Sequence, residues 1–149
     1  MAKVLVSGAG GYIGIPLCRK ILEQGHELIA LDRYFFGKQR LADIEANPKA
    51  KVVVDDIRSF DPGLLKGVEI VLDLAGLSND ASAEIDPQLT QSINCDGGRR
   101  LARIAKEAGV RRYIYSSSAS VYGNGVQDQL KETDECRPLT LYAESKLRV

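Results

Sequence analysis

A tyrosine and a lysine four residues apart, Tyr142 and Lys146, are the side chains of this sequence best suited to proton transfer. Residues at positions i and i+4 lie on the same face of a helix, so the phenol and the ammonium group are expected to be neighbours. An ammonium group beside a phenol favours the phenolate form. The pair therefore predicts a tyrosine that works as an acid and a base near neutral pH.

A glycine-rich turn near the amino terminus predicts a partner for that chemistry. Residues 7–14 read Ser-Gly-Ala-Gly-Gly-Tyr-Ile-Gly and stand between an apolar run and a helical pattern. Gly8, Gly11 and Gly14 would permit a tight turn, close approach of the backbone to a pyrophosphate, and close packing of helix on strand. The free N–H groups of the helix would face the phosphates. A dinucleotide site beside the tyrosine indicates proton transfer coupled to hydride transfer.

The identity of the dinucleotide is predicted from the end of the second apolar run. Asp32 stands 18 residues after Gly14, where a carboxylate accepts hydrogen bonds from the adenosine ribose. A carboxylate at that point repels a 2′-phosphate, which favours NAD over NADP. Arg33 leaves NADP as an alternative cofactor, because a neighbouring arginine can hold that phosphate.

Two further strand ends carry candidate cofactor contacts. Asp56 follows the third apolar run and is placed to accept from an adenine amino group, with Ile57 against the ring; the alternative is an aspartate that only forms a turn. Leu74, Ala75 and Gly76 end the fourth run. Their small side chains would let the backbone approach the cofactor closely.

Apolar runs that alternate with helical patterns predict an α/β fold, a Rossmann-type doubly wound parallel sheet with strand order 3-2-1-4-5. In such sheets ligands bind at the carboxyl ends of the strands, where the residues above stand. Strands are expected at 3–7, 27–31, 51–54, 69–74 and 112–117, and the main helices at 12–24, 86–108 and 139–149.

Composition excludes several classes of function. With 149 residues, 44% apolar and 27% charged, the chain is predicted to form one globular domain, 1–149. Twenty basic and twenty acidic residues leave no net charge for nucleic acid binding. No apolar run approaches the roughly 18 residues of a membrane span. Three cysteines without metal-site spacing fit a reducing, cytoplasmic protein without a metal centre.

Taken together, the motifs resemble those of the N-terminal half of an extended short-chain dehydrogenase/reductase. The resemblance is closer to the NAD-dependent nucleotide-sugar epimerase/dehydratase family, which includes UDP-galactose 4-epimerase. It covers the whole chain and rests on Gly8-x-x-Gly11-x-x-Gly14, Asp32, Asp56-Ile57, Leu74-Ala75-Gly76, Asn94-x-x-Gly97, Ser116-Ser117-Ser118 before Val121-Tyr122-Gly123, and Tyr142-x-x-x-Lys146.

The resemblance implies roles for individual residues. Tyr142 would take the proton of a sugar hydroxyl as hydride leaves to NAD. Lys146 would favour the phenolate and bind the nicotinamide ribose, and Ser118 would hydrogen-bond the reacting hydroxyl. The same resemblance implies that Tyr142 touches the cofactor. The remaining implied cofactor contacts are Asn94 on the long helix and the backbone of Tyr12 and Ile13.

One departure from the family narrows the reaction. Family 4,6-dehydratases carry an Asp-Glu pair after the catalytic hydroxyl residue, where this sequence has Ala119 and Ser120. The acid and base that eliminate water are therefore missing. Epimerisation of a UDP-sugar at C4, or net reduction of a keto-sugar, remains as the expected reaction.

A second departure is the length of the chain. The resemblance implies a C-terminal lobe that binds the nucleotide-sugar, so the chain is expected to be incomplete. It is expected to bind NAD but not necessarily to catalyse the reaction. The full-length protein is expected to be a homodimer. Two alternatives stay open: a catalytically silent NAD-binding module, and a dehydrogenase or reductase that acts on a steroid or flavonoid ketone.

Overall fold

The computed structural model describes residues 1–125 and 129–149. The chain divides into two compact units, each formed by two segments. The first unit comprises Met1–Ala75 and Arg100–Ser116, and the second comprises Gly76–Arg99 and Ser117–Val149.

The first unit contains a five-stranded parallel sheet in the order β3-β2-β1-β4-β5, which confirms the predicted order. The central strands are nearly all apolar, as expected of strands covered on both faces. Ser7, the last residue of β1, pairs with Leu31 on one side and with Asp73 on the other. The strands are β1 (Lys3–Ser7), β2 (Glu27–Asp32), β3 (Ala50–Val54), β4 (Ile70–Asp73) and β5 (Arg112–Tyr115).

Helices connect and extend these strands. The first unit holds α1 (Gly14–Glu23), α2 (Ala42–Glu45), most of α5 (Gly98–Glu107) and 3₁₀ turns at Gln39–Leu41 and Pro62–Leu65. The second unit holds α3 (Asp80–Ile85), α4 (Pro87–Thr90), a π-helix (Gln91–Gly97), a 3₁₀ turn (Ala119–Tyr122) and α6 (Leu141–Arg148).

Three helix predictions need correction. The helix expected over 139–149 begins at Leu141, after the Thr140 cap, and ends at Arg148. The helix expected from residue 12 begins at Gly14, because residues 8–13 form the glycine turn. The helix expected over 86–108 does start with an Asp86 cap, which accepts from the N–H of Leu89 at 2.9 Å, but it is interrupted by the π-helix. The separate helix α3 was not predicted. Its cap, Asn79, accepts from the N–H of Ser82 at 2.8 Å.

The core of the first unit forms where α1 covers the sheet. Apolar residues at a helical period on α1 meet the alternating side chains of β1 and β2, and each large side chain buried there contributes about 1.5–3 kcal/mol. Cys18 in this core is buried and forms no disulfide, and the same holds for Cys95 of the second unit. The hydrophobic core of the first unit includes Val4, Val6, Ile15, Cys18, Ile21, Leu28, Ala30, Leu41 and Ile44.

Candidate functional site

Backbone atoms leave no room for a side chain at two positions of the glycine turn after β1. Gly8 has a φ of 69°, and a Cβ there would lie 2.8 Å from the backbone nitrogen of Ala75. A Cβ on Gly14 would overlap the carbonyl oxygen of Gly8. At Gly11 the nearest atom to a Cβ is that same oxygen at 3.2 Å. The turn therefore places bare backbone at the carboxyl edge of the sheet, as a dinucleotide site requires.

The amino end of α1 continues this surface. No side chain in the described parts of the chain caps the helix at Ile13. The Ile15 N–H donates to the carbonyl of Gly11 at 3.2 Å, and Pro16 has no N–H. Tyr12 is 94% exposed and Ile13 is 60% exposed. A helix N-terminus beside glycines suits a pyrophosphate; the contacts themselves remain predictions.

Asp32 is held against the glycine turn. Its carboxylate accepts from the N–H of Gly10 at 3.0 Å and from the N–H of Tyr34 at 2.7 Å. Tyr34 has a φ of 53°, a left-handed conformation that is uncommon for a tyrosine. Its hydroxyl donates to the carbonyl of Ala30 at 2.9 Å, and its ring occupies the space beside Gly10. Sequence reasoning found Asp32 but missed Tyr34, whose conformation no local motif signals.

Arg33 and Asp56 form an ion pair that the sequence did not predict. Nη1 of Arg33 lies 2.8 Å from Oδ2 of Asp56, and Nη2 of Arg58 lies 2.6 Å from the same oxygen. Asp56 is 8% exposed. Hydrogen bonds from Arg58, and then from Arg33, hold the pKa of the Asp56 carboxyl well below its usual range. Ile57, next in the chain, is buried.

This ion pair predicts a pH dependence of stability. Because the pKa of Asp56 is depressed in the folded state, the stability it contributes is present above the unfolded carboxyl pKa of about 3.9 and is lost as pH falls through the folded value. We expect the difference in unfolding free energy between the parent chain and Asp56→Asn to be constant from about pH 7 to 5 and to shrink toward pH 3. Urea unfolding followed by circular dichroism measures this. A difference that stays constant down to pH 3 would contradict it.

A buried polar network fixes the backbone where β4 ends. Asp73 is 1% exposed and accepts from the hydroxyl of Ser7 and, at 2.6 Å, from the hydroxyl of Tyr113. Burial and the nearby Asp73 carboxylate raise the pKa of Tyr113. Oγ of Ser7 accepts in turn from the N–H groups of Leu74 and Ala75, both at 3.2 Å. The network holds these two predicted cofactor contacts beside the glycine turn; its only signal in the sequence was an acid inside an apolar strand.

In the second unit, Asn94 lies at the middle of the π-helix and is 2% exposed. Its Oδ1 accepts from the N–H of Leu77 at 2.8 Å, and its Nδ2 donates to the Leu77 carbonyl at 3.1 Å and to Oγ of Ser145 at 3.3 Å. Gly76 lies against it, since a Cβ there would be 3.0 Å from Oδ1. Ser145 donates to the carbonyl of Tyr142 at 2.7 Å. Asn94 thus positions α6, whereas its predicted contact with a cofactor is untested.

The three predicted catalytic residues all lie in the second unit. Thr140 caps α6 by accepting from the N–H of Ala143 at 3.1 Å. Nζ of Lys146 lies 5.8 Å from the centroid of the Tyr142 ring, as the four-residue spacing predicted, and Lys146 is 7% exposed. Ser118 caps the 3₁₀ turn that packs against α6. Its oxygen accepts from the hydroxyl of Ser120 at 2.8 Å and from the Ser120 N–H at 3.2 Å.

The described residues form neither a metal-binding cluster nor a membrane-spanning helix. Within residues 1–125 and 129–149, no three His, Cys, Asp or Glu side chains are grouped so as to hold a metal ion. No helix in that part of the chain is both long enough and apolar enough to cross a bilayer.

With this geometry in hand, comparison with known proteins assigns the family. A family model described as the NAD dependent epimerase/dehydratase family matches residues 4–149. The chain belongs to this family. The resemblance noted from the motifs is therefore confirmed, and so is the expected dependence on NAD at the level of the family.

Individual members of the epimerase/dehydratase family are similar over most of the chain. UDP-glucose 4-epimerase of Klebsiella pneumoniae is 32% identical over 130 residues, which cover 82% of this chain and 93% of that protein. UDP-glucose 4-epimerase of Mycolicibacterium smegmatis is 33% identical over 150 residues, which cover 97% of this chain and 48% of that protein. Apart from the Klebsiella protein, the chain spans about half or less of the length of the curated relatives it matches.

Solved structures of the family share the fold. UDP-glucose-4-epimerase from Stenotrophomonas maltophila, determined with bound NAD and formylated UDP-arabinopyranose, superposes with a TM-score of 0.88 at 28% identity. The match covers 99% of this chain and 46% of that one. The Rossmann-type sheet predicted for this chain is therefore confirmed by its similarity to a solved structure as well as by its strand order.

Proposed function

We propose that this chain is the NAD-binding part of a nucleotide-sugar 4-epimerase in which Tyr142 is the acid and base. The observation that carries the proposal is the placement of Lys146, which is 7% exposed and whose Nζ lies 5.8 Å from the centroid of the Tyr142 ring. A silent NAD-binding module has no need of a buried lysine beside a phenol.

The first unit supplies the groups that suit NAD. Gly8 and Gly14 let the turn pack closely on neighbouring backbone, and the backbone N–H groups of Tyr12 and Ile13 before α1 would face a pyrophosphate. Asp32 presents a carboxylate at the turn, where it would accept from the ribose hydroxyls. Bound NAD would accept a hydride from the substrate and return it.

The side chains of the second unit supply the proton transfers. The phenolate of Tyr142 would take the proton of the sugar 4-hydroxyl while the C4 hydrogen leaves as hydride, which gives a 4-keto sugar. Ser118 would donate a hydrogen bond to the reacting oxygen, and Lys146 would bind the nicotinamide ribose beside Tyr142. Return of the hydride to the opposite face, with the proton returned by Tyr142, gives the epimer with no net oxidation.

The substrate and assembly of the whole protein are part of the same proposal. We take a UDP-sugar as the substrate because the similar proteins named above are UDP-glucose 4-epimerases. Ala119 and Ser120 follow Ser118, so no carboxylate adjoins it to eliminate water. A homodimer is proposed for the full-length protein, on the family resemblance alone.

The assignment of NAD is tested by calorimetric titration of the chain with NAD and, separately, with NADP. We expect the parent to prefer NAD and Asp32→Ala to bind it about 10- to 100-fold more weakly, because charge-assisted hydrogen bonds to the ribose are lost. Asp32→Asn keeps an acceptor for the N–H of Gly10 but turns an amide nitrogen toward the N–H of Tyr34, so circular dichroism of this variant checks that the turn is kept before the loss is assigned to the ribose contacts. Asp43→Ala, which removes an exposed carboxylate paired with Arg19, serves as the control. Equal binding of NAD by parent and Asp32→Ala would refute the assignment.

A further inference from the structure

A cleft lies at the edge of the sheet opposite the glycine turn, where β1, β2 and β3 begin. Its volume is about 420 Å³, within the range of about 300–1,000 Å³ that small-molecule sites occupy. Leu28 and Ile29 line it and are buried. The 3₁₀ turn Pro62–Leu65 borders one side through Gly63 and Leu64. The whole cleft therefore belongs to the first unit.

Positive charge is concentrated on the walls of this cleft. Four of its lining residues are lysines and one is an acid, Glu27, although the whole chain has no net charge. Two other carboxylates adjoin it: Glu69 accepts from the N–H of Lys3 at 3.3 Å, and Asp61 accepts from the N–H of Gly63 at 2.9 Å. Even with both counted, positive charge is in excess. We call this the lysine cleft after the residues Lys3, Lys49, Lys51 and Lys66.

The ammonium groups of the lysine cleft contact backbone carbonyls instead of acids. Nζ of Lys3 donates to the carbonyl of Lys66 at 3.0 Å, and Nζ of Lys49 donates to the carbonyl of Gly25 at 3.2 Å. Among the described residues, no carboxylate forms an ion pair with any of the four lysines, whereas Arg19 of the same unit has an acidic partner. A carbonyl takes one of the three N–H donors of an ammonium group and does not neutralise it. Charge and donors therefore remain for an anion.

Phosphate is the anion that this arrangement suits. An ammonium group binds phosphate as a compact point charge. The two carbonyl contacts already direct Lys3 and Lys49, which lowers the entropy lost on binding. Pro48 and Leu64 add apolar surface for the organic part of a ligand. We propose that the lysine cleft binds a small organic phosphate of about mononucleotide size, at a site separate from the glycine turn. This site does not depend on the proposed epimerase activity.

The experiment follows the backbone amide resonances of the isotopically labelled 149-residue chain by NMR while uridine monophosphate is added. Uridine, which has no charge, and inorganic phosphate are added in separate titrations. We expect saturable shifts at the amides that border the lysine cleft, with a dissociation constant of about 1 mM or less for the nucleotide. Inorganic phosphate is expected to move the same amides and uridine to leave them in place.

Two variants of the lysine cleft and one matched variant locate the site. Lys49→Gln/Lys51→Gln is expected to weaken nucleotide binding about tenfold, since two ammonium groups are lost. Lys66→Gln, which changes no strand, is expected to weaken it about threefold. Lys20→Gln/Lys106→Gln removes two exposed lysines from α1 and α5 and is expected to stay within about twofold of the parent. It controls for net charge because it removes the same number of lysines as the double variant of the cleft.

Four results would overturn the proposal. Absence of saturable shifts up to about 10 mM nucleotide would show that the lysine cleft has no phosphate site. Equal shifts with uridine would show that the phosphate is not what is recognised. Equal weakening by the cleft variants and by the matched variant would assign binding to net charge alone. Shifts confined to the glycine turn would place the nucleotide in the dinucleotide site. Circular dichroism checks the fold of each variant, and Lys66→Gln decides the matter if the double variant does not fold.

Discussion

Replacing Tyr142 by phenylalanine is expected to lower kcat for the interconversion of UDP-glucose and UDP-galactose by about 10²- to 10⁴-fold, the usual contribution of a positioned acid and base. The phenyl ring keeps the packing of α6 but has no proton to exchange with the sugar hydroxyl. NAD affinity is expected to stay nearly unchanged, because binding draws on the glycine turn and Asp32. The assay is made on the whole protein, with the 149-residue chain beside it.

A change elsewhere on the same helix provides the control. Leu147 is exposed and adjoins Lys146 on α6, so Leu147→Ala is expected to leave kcat within about twofold, as surface changes away from special features usually do. Activity of Tyr142→Phe close to that of the parent would exclude Tyr142 as the acid and base. A fall in NAD affinity that accounts for all of the lost activity would exclude it as well.

Replacing Gly14 by alanine is expected to lower the free energy of unfolding by about 3 kcal/mol or more, near the upper end of overpacking effects. The added methyl group would overlap the carbonyl oxygen of Gly8 and lie 2.8 Å from backbone atoms of Ala9. Backbone atoms cannot move away as the end of a flexible side chain can, so the glycine turn must open. Helix propensity alone predicts the opposite sign, a gain of up to about 1 kcal/mol. Urea unfolding of the two proteins measures the difference.

A second glycine of the same turn provides the comparison. At Gly11 a Cβ would meet only the Gly8 carbonyl, at 3.2 Å, so Gly11→Ala is expected to cost less than about 1 kcal/mol. Similar stability of the two variants would mean that the turn relaxes around the Gly14 methyl group. A stable Gly14→Ala protein that still binds NAD like the parent would also contradict the role given to this turn.

Most features of the fold that the sequence predicts follow from local patterns. A run of apolar residues indicates a buried strand, and glycines indicate a turn because they adopt backbone conformations that other residues avoid. For this reason the strands, the glycine turn before α1 and the start of a helix at residue 86 were predicted from neighbouring residues alone, whereas the strand order followed from the right-handed crossover rule. The spacing of Tyr142 and Lys146 is local in the same sense, because four residues make about one helical turn.

The tertiary structure alone decided which polar side chains are paired. Arg33 meets Asp56 across 23 positions, and Asp73 meets Ser7 and Tyr113 across 66 and 40. No local rule links residues so far apart in sequence; they meet because parallel strands bring their carboxyl ends to one edge of the sheet. The sequence thus determined that Asp32 and Asp56 stand at strand ends and that Asp73 lies in the fourth apolar run. Only the fold decided that the second restrains an arginine and the third anchors the backbone beside the glycine turn, because those partners depend on strand register.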